Sequence, residues 1–455
     1  MKPWDPNVKP YKLAKRQSKL HIQLSPPAVL FLGFILLIFV GAGLLMLPIA
    51  STVETPFIKA LFTATSAVTV TGLVVMDTGS HFTTFGQIVI AGLIQAGGLG
   101  FMTFAVVAAI SLGARLGLSQ QILMKEALDQ TSMEKVVQTA KFVLCYSFVI
   151  ELVGFVLLTL VWLDEYGLRE SAYQAFFYTL SAFNNAGFAL RSDSLSAYSA
   201  SVSVNMIITA LFIIGGIGFA VLIDIKTNKR WCKLSVNTRI VLLATLTINL
   251  VAFLLIWLLE ANNPATLGTL PVGEQALTAW FQAVTPRTAG FNTLPIEHLT
   301  DASTTLTILL MFIGGGSLST ASGLKLGTFI VLIMTTYTFL RRRTQVTLLN
   351  RTIPQVQVLK ALSLAIISIG MIFISIFILT AIENAPFLDI VFEVVSALST
   401  VGLSRGLTGQ LSDTGEIVII FMMIVGRVGP LSFAYFIATP KPRKVQYADA
   451  EIQVG

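Results

Sequence analysis

Apolar stretches of 20 or more residues alternate with polar, charged segments along the chain, and within each successive pair of long stretches lies a shorter apolar one. About 20 apolar residues is what a helix needs to cross a bilayer's hydrocarbon core. The long runs fall at 27–47, 85–112, 140–163, 202–225, 240–259, 305–340, 359–381 and 417–438, which predicts eight crossings. The short runs, 57–68, 172–184, 274–287 and 386–399, are too short to span. They are expected to enter as half-helices and turn back. Irregular backbone at membrane depth is tolerated only where protein or a water-filled cavity surrounds it.

Each short run leads into a glycine: Val70-Thr71-Gly72, Asn185-Ala186-Gly187, Thr288-Ala289-Gly290 and Thr400-Val401-Gly402. The glycines lie 115, 103 and 112 residues apart, the mark of one module repeated four times. The expected fold is an all-α polytopic membrane protein: four units of helix, re-entrant pore helix and helix around a pseudo-fourfold pore. The units run 27–112, 140–225, 240–340 and 359–439, joined by linkers 113–139, 226–239 and 341–358 and flanked by tails 1–26 and 440–455.

Composition agrees. Hydrophobic residues make up 55% and charged residues 12% of the 455, too few charges to cover a soluble protein of this size. The first apolar run lacks a small-residue cleavage site and is expected to be retained. The net charge of +7 is distributed by position, with Lys and Arg gathered in 2–19, 226–233, 341–351 and 441–444. By the positive-inside rule those segments and both termini face the cytoplasm, which puts the glycine motifs toward the outside. This basic balance reports topology and gives no case for nucleic-acid binding. Cys145 and Cys232 have no metal-ligand spacing, and Trp162, Trp231 and Trp257 at span ends fit an interfacial belt.

A cation shedding its water needs several oxygens at fixed distances, and backbone carbonyls supply them without a full charge in lipid. Glycine at the motif's end can take positive φ, so successive carbonyls can face one axis. The second helices carry glycine clusters 24 to 28 residues further on: Gly97-Gly98-Leu99-Gly100, Gly215-Gly216-Ile217-Gly218, Gly314-Gly315-Gly316-Ser317 and Gly426-Arg427-Val428-Gly429. The first two are expected to serve helix packing alone. The third opens a poor helix through Leu318, Ser319, Thr320, Ala321, Ser322 and Gly323, and so predicts an unwound segment, either a movable gate or a static kink. Arg427 costs about 2.5 to 3.5 kcal/mol at the centre of a span. It is read as a barrier to cations facing the cavity, with an ion pair to Glu151 or Asp224 as the alternative. Lys325 either anchors the segment or snorkels, and Arg287, Arg405, Asn184 and Asn185 are expected to brace the loops.

With these residues in place, the chain resembles the Trk/Ktr/HKT superfamily of potassium transporters, over nearly its whole length. The resemblance implies M1-P-M2 repeats with Gly72, Gly187, Gly290 and Gly402 as filter glycines, potassium being coordinated by carbonyls of the two residues before each. It implies that residues 314–323 form an intramembrane gating loop and that Arg427 is the pore arginine. It also implies potassium uptake across a bacterial inner membrane, stimulated by sodium, by a homodimer in membrane lipid. The partner would be an octameric cytoplasmic ring of KtrA-type subunits, which bind the ATP or ADP, with the tail 440–455 near the dimer interface. The filter segments keep little of the potassium-channel TVGYG pattern beyond its glycine, which bears on selectivity against sodium.

A secondary transporter of another small cation or solute is the competing reading, but successive repeats here share one orientation. An enzyme is not expected: His21, His81 and His298 form no HExxH motif, and no GxSxG elbow is present.

Overall fold

The computed structural model describes residues 26–100 and 133–430. The first repeat comprises α1 (Pro26–Leu45), α2 (Phe57–Thr69) and α3 (Thr84–Gly98). The second has α4 (Met133–Phe183), which reverses at Gly167 (φ 73°) so that its last part is the pore helix, then α5 (Val202–Ile217) and α6 (Phe219–Thr227). The third has α7 (Val236–Glu260), α8 (Val272–Val284), α9 (Asp301–Phe312) and α10 (Leu326–Leu340). A short antiparallel hairpin, β1 (Thr347–Leu348) with β2 (Arg351–Thr352), leads to the fourth: α11 (Gln355–Ile382), α12 (Phe387–Ser399) and α13 (Asp413–Val428).

The repeats share a grammar of helix starts. Pore helices α2, α8 and α12 each begin directly after a proline, Pro56, Pro271 or Pro386, whose ring presets φ at the helix entrance. Each second helix begins instead on a hydroxyl cap that accepts a first-turn amide: Thr83 for α3, Ser201 for α5, Thr300 for α9 and Ser412 for α13. Such a cap is worth about 1 kcal/mol.

The repeats pack in a ring. Phe62 and Val68 of the first lie in one apolar cluster with Met422 and Val394 of the fourth and Phe188 of the second. Phe183 and Phe212 of the second pack with Phe281 and Phe291 of the third, and Met311 of the third packs with Phe392 of the fourth. Large apolar side chains on the outer helices, such as Leu160, Leu258, Ile366 and Phe377, are exposed. An apolar perimeter of that extent is the surface of a membrane protein.

The second helices are not continuous spans. Helices α5 and α6 meet at 90° across Gly218 (φ 105°), in place of the single helix expected over 202–225. Backbone from 313 to 325 separates α9 from α10; α3 ends before Gly100 (φ 81°) and α13 before Gly429 (φ 94°). Hence, among the described residues, only three helices, or four counting the bent pair, are long and apolar enough to cross alone. Residues 1–25, 101–132 and 431–455, with the parts of the expected spans, linker and tails they contain, lie outside the described residues. One further expectation is corrected. Trp162 is fully buried against Tyr178 and Tyr198 and is no belt residue. The 341–358 linker holds the hairpin, and α11 begins within it.

Candidate functional site

The four glycine segments meet. A side chain placed on Gly72 would strike the carbonyl oxygen of Ala186, and one on Gly402 that of Thr71. A Cβ on Gly187 would stand 2.8 Å from the Cα of Gly290, and one on Gly290 would strike the carbonyl of Val401. Each segment thus touches the next, and the ring closes from the fourth repeat to the first. A vestibule of about 310 Å³ is lined by all four glycines, together with Asp77, Arg191, Glu297 and Ser404.

Backbone conformation in the segments goes beyond the glycines. Gly72, Gly187, Gly290 and Gly402 have φ of 91°, 69°, 78° and 90°, and the residues two before them, Val70, Asn185, Thr288 and Thr400, have φ of 57°, 59°, 74° and 49°. Left-handed backbone at a β-branched residue is rare, and each instance costs about 1 to 3 kcal/mol. The conformation arises locally. In three repeats the residue at that position closes its pore helix as a Schellman cap: Thr71, Ala186 and Val401 amides reach back to Ser66, Ser181 and Ser396, while Val70, Asn185 and Thr400 amides reach Ala67, Ala182 and Ala397. That cap normally takes glycine. The third repeat differs, because α8 ends at Val284 before Thr285-Pro286 and the amide of Ala289 bonds Thr285.

A hydroxyl on, or just past the end of, each pore helix fixes the segment. Ser66 Oγ accepts from the Gly72 amide at 3.0 Å and Ser396 Oγ from the Gly402 amide at 3.1 Å. In the middle repeats the hydroxyls donate, Ser181 to the Phe188 carbonyl at 2.7 Å and Thr285 to the Phe291 carbonyl at 2.5 Å. The non-glycine residues of the four segments, including Thr71, Ala186, Ala289 and Val401, are all buried. Four pore-helix carboxyl ends are aimed at this ring, a polarity that favours a cation. The hydroxyls were not singled out from the sequence. Their signal is Ser-Ala six residues before the glycine in repeats one, two and four, visible once the repeats are superposed.

Below the ring, the second helices press glycine against the pore helices. Side chains on Gly97, Gly215 and Gly426 would strike the carbonyls of Val68, Phe183 and Leu398, each four residues before its motif glycine. The first two clusters nevertheless do more than pack. Gly215 and Gly216 carbonyls, freed where α5 breaks, accept from the amides of Thr320 and Gly316 at 3.3 and 2.8 Å, and the Phe219 amide donates to Leu318 at 2.8 Å. The 313–325 segment therefore docks its main chain into the break of the second repeat. Ser319 caps it internally, bonding Gly316 and Ala321, and Gly314 and Gly315 bond Leu324 and Leu326. Thr320 Oγ1 bonds Asn185 Oδ1 at 2.9 Å, while Asn185 Nδ2 reaches Thr288 Oγ1 at 3.4 Å, so one amide ties two glycine segments to the segment beneath.

Arg427 spans this layer. It donates to the Thr320 carbonyl and to Ser322 Oγ at 3.3 Å, and on its other side to the carbonyls of Gly97 and of Gly98, the latter at 3.1 Å. Neither carboxylate considered from the sequence pairs with it. Glu151 is bonded by Gln95 and Asn184, and Asp224 by Asn228, Ser235 and Thr238. Lys325 donates to the Ala321 carbonyl at 2.6 Å, at the far end of the same segment. Further out, Arg287 bonds Asn249 of α7, and Arg405 joins Asp389 of α12 at 2.6 Å to Thr304 of α9. Lys59 of α2 pairs with the fully buried Glu416 of α13.

The family model TrkH, described as a cation transport protein, matches residues 31–447. The chain is 46% identical to the Ktr system potassium uptake protein B of Bacillus subtilis, over 95% of this chain and 98% of that one. It is 42% identical to the protein of the same name from Vibrio alginolyticus, over 94% and 95%. The potassium/sodium uptake protein NtpJ of Enterococcus hirae is 36% identical, over 96% and 99%. The crystal structure of the potassium transporter TrkH from Vibrio parahaemolyticus superposes with a TM-score of 0.74 over 93% of this chain and 86% of that one, at 20% identity, which bears on the fold. Four helix–pore–helix repeats, a closed ring of glycine-segment backbone and kinship over 95% of the chain agree: this chain belongs to the TrkH family of cation transport proteins.

Proposed function

We propose that the protein carries potassium into a bacterial cell in a channel-like manner, stimulated by sodium, as the ion-translocating subunit of a Ktr-type system. The observation that carries this reading is the vestibule lined by Gly72, Gly187, Gly290 and Gly402, each preceded by backbone held in an unusual conformation. Carbonyls of Val70, Thr71, Asn185, Ala186, Thr288, Ala289, Thr400 and Val401 replace the ion's water. Residues 314–323 gate the path below them, with Arg427 holding the segment and repelling cations. The relatives named for potassium and for potassium/sodium uptake support the choice of ion.

In this reading the protein is a homodimer with one pore per protomer, its termini cytoplasmic, seated on a KtrA-type octameric ring that binds the nucleotide. The test is potassium and sodium uptake by the Gly290→Ser variant in a bacterial strain lacking its own potassium uptake systems. A Cβ at Gly290 has no room, so potassium affinity should weaken by roughly tenfold or more, the loss of about 1.4 kcal/mol. Unchanged affinity and ion preference would reject the filter.

A further inference from the structure

A pocket of about 490 Å³ lies between the start of α7, the first half of α10, the β1–β2 hairpin and the first turns of α11, and it reaches Ser317 of the 313–325 segment. Ile240, Ile330, Val331 and Leu364 give it apolar walls, and Arg351 and Lys360 supply cations. Both cations are exposed, and neither has an ion-pair partner among the described residues. The sequence offers no local counter-charge: no Asp or Glu occurs between Asp301 and Glu383, while Arg341, Arg342 and Arg343 add to the basic excess. Asp224, at the α6–α7 junction, is occupied by Asn228, Ser235 and Thr238.

This combination has one matching ligand class. A soluble anion would satisfy the cations and leave the apolar walls unmatched; a hydrocarbon would do the reverse. A second copy of this chain would bring the same positive hairpin against itself. We propose that the pocket holds an anionic phospholipid, its phosphate between Arg351 and Lys360 and an acyl chain along Ile330, Val331 and Leu364. Clusters of basic residues at the cytoplasmic ends of membrane spans attract acidic headgroups, and the guanidinium fork fits phosphate oxygens. The exposed apolar side chains of Leu359 and Ile366 on α11 continue the hydrocarbon surface past the pocket. Because Ser317 lines the same pocket, lipid occupancy would bear on the segment beneath the filter.

The test uses the full-length protein in nanodiscs of phosphatidylcholine with or without phosphatidylglycerol, read by native mass spectrometry. The intact chain should retain phosphatidylglycerol. Removing each charge should weaken retention by about fivefold, so Arg351→Gln with Lys360→Gln loses about 25-fold, whereas Arg169→Gln, remote in sequence from the pocket, loses none. A photoreactive phosphatidylglycerol on the unaltered protein should label α10 or α11, which keeps the proposal testable if the double variant folds poorly. Equal retention by both variants, labelling elsewhere, displacement by inorganic phosphate alone, or a chain-to-chain cross-link filling the pocket in every lipid would each overturn it.

Discussion

At the residue scale, the proposed filter depends on positions that tolerate no side chain and on hydroxyls that hold the main chain in place. Gly72 donates its amide to Ser66 in a buried setting, and Gly402 donates to Ser396 in a partly buried one. Replacing Ser66 by alanine leaves a buried amide without a partner, which costs about 1 to 3 kcal/mol. The expected outcome is a lower unfolding midpoint together with a reduced preference for potassium over sodium in flux assays. Unaltered preference would show that the hydroxyl serves stability alone. Arg427 belongs at this scale too. Its guanidinium joins the 313–325 segment to the first repeat's glycines. The Arg427→Gln variant loses both the charge and the clasp, so rubidium flux through the isolated subunit in liposomes should rise several-fold. A fall in flux with folding intact would contradict the barrier role. The Lys59–Glu416 pair makes a simpler statement about stability: Lys59→Met leaves a buried carboxylate unpaired, and should destabilise by about 3 to 5 kcal/mol unless Glu416→Gln accompanies it.

At the scale of elements, the recurring device is a second helix that breaks at a glycine of positive φ and offers its freed carbonyls to a neighbour. The clearest case is the 90° bend at Gly218, where a side chain would strike the carbonyl of Ser317. Gly218→Ala should therefore loosen the docked segment, and a cysteine placed at Ser317 should react faster with a water-soluble thiol reagent in that background. Shortening 314–323 should raise transport, as expected of a gate. A slower or unchanged rate would favour a static kink. Much of this scale was legible in the sequence: apolar run length marked the pore helices and the glycine-serine content of 314–323 marked the interruption. The breaks at Gly100, Gly218 and Gly429 were less legible. A glycine that packs and a glycine that turns look alike until the neighbouring carbonyl is in place, so Gly97–Gly100 and Gly215–Gly218 read as packing clusters. The left-handed Val70 and Thr400 were hidden for a related reason, since local propensity argues against φ above zero at valine or threonine, and it is the closing turn of the pore helix, with a serine six residues before the glycine, that imposes it.

For the whole molecule, the four repeats make a ring whose inside is backbone and whose outside is hydrocarbon side chains, an arrangement that the fourfold spacing of the motif glycines already implied. Trp162 shows where that reading was too coarse: hydropathy placed it at a membrane boundary, whereas the reversal at Gly167 folds the pore helix back over it and buries it against Tyr178 and Tyr198. The membership in a cation transport family rests on residues 31–447, nearly the whole chain, while the proposed choice of potassium is supported by the relatives named for its uptake. The most direct measurement is the anomalous scattering of rubidium, soaked into crystals as a potassium substitute. A peak on the axis, enclosed by carbonyl oxygens of residues 70–72, 185–187, 288–290 and 400–402, is the predicted result. A peak bound only by side chains elsewhere, with no density on that axis, would contradict it.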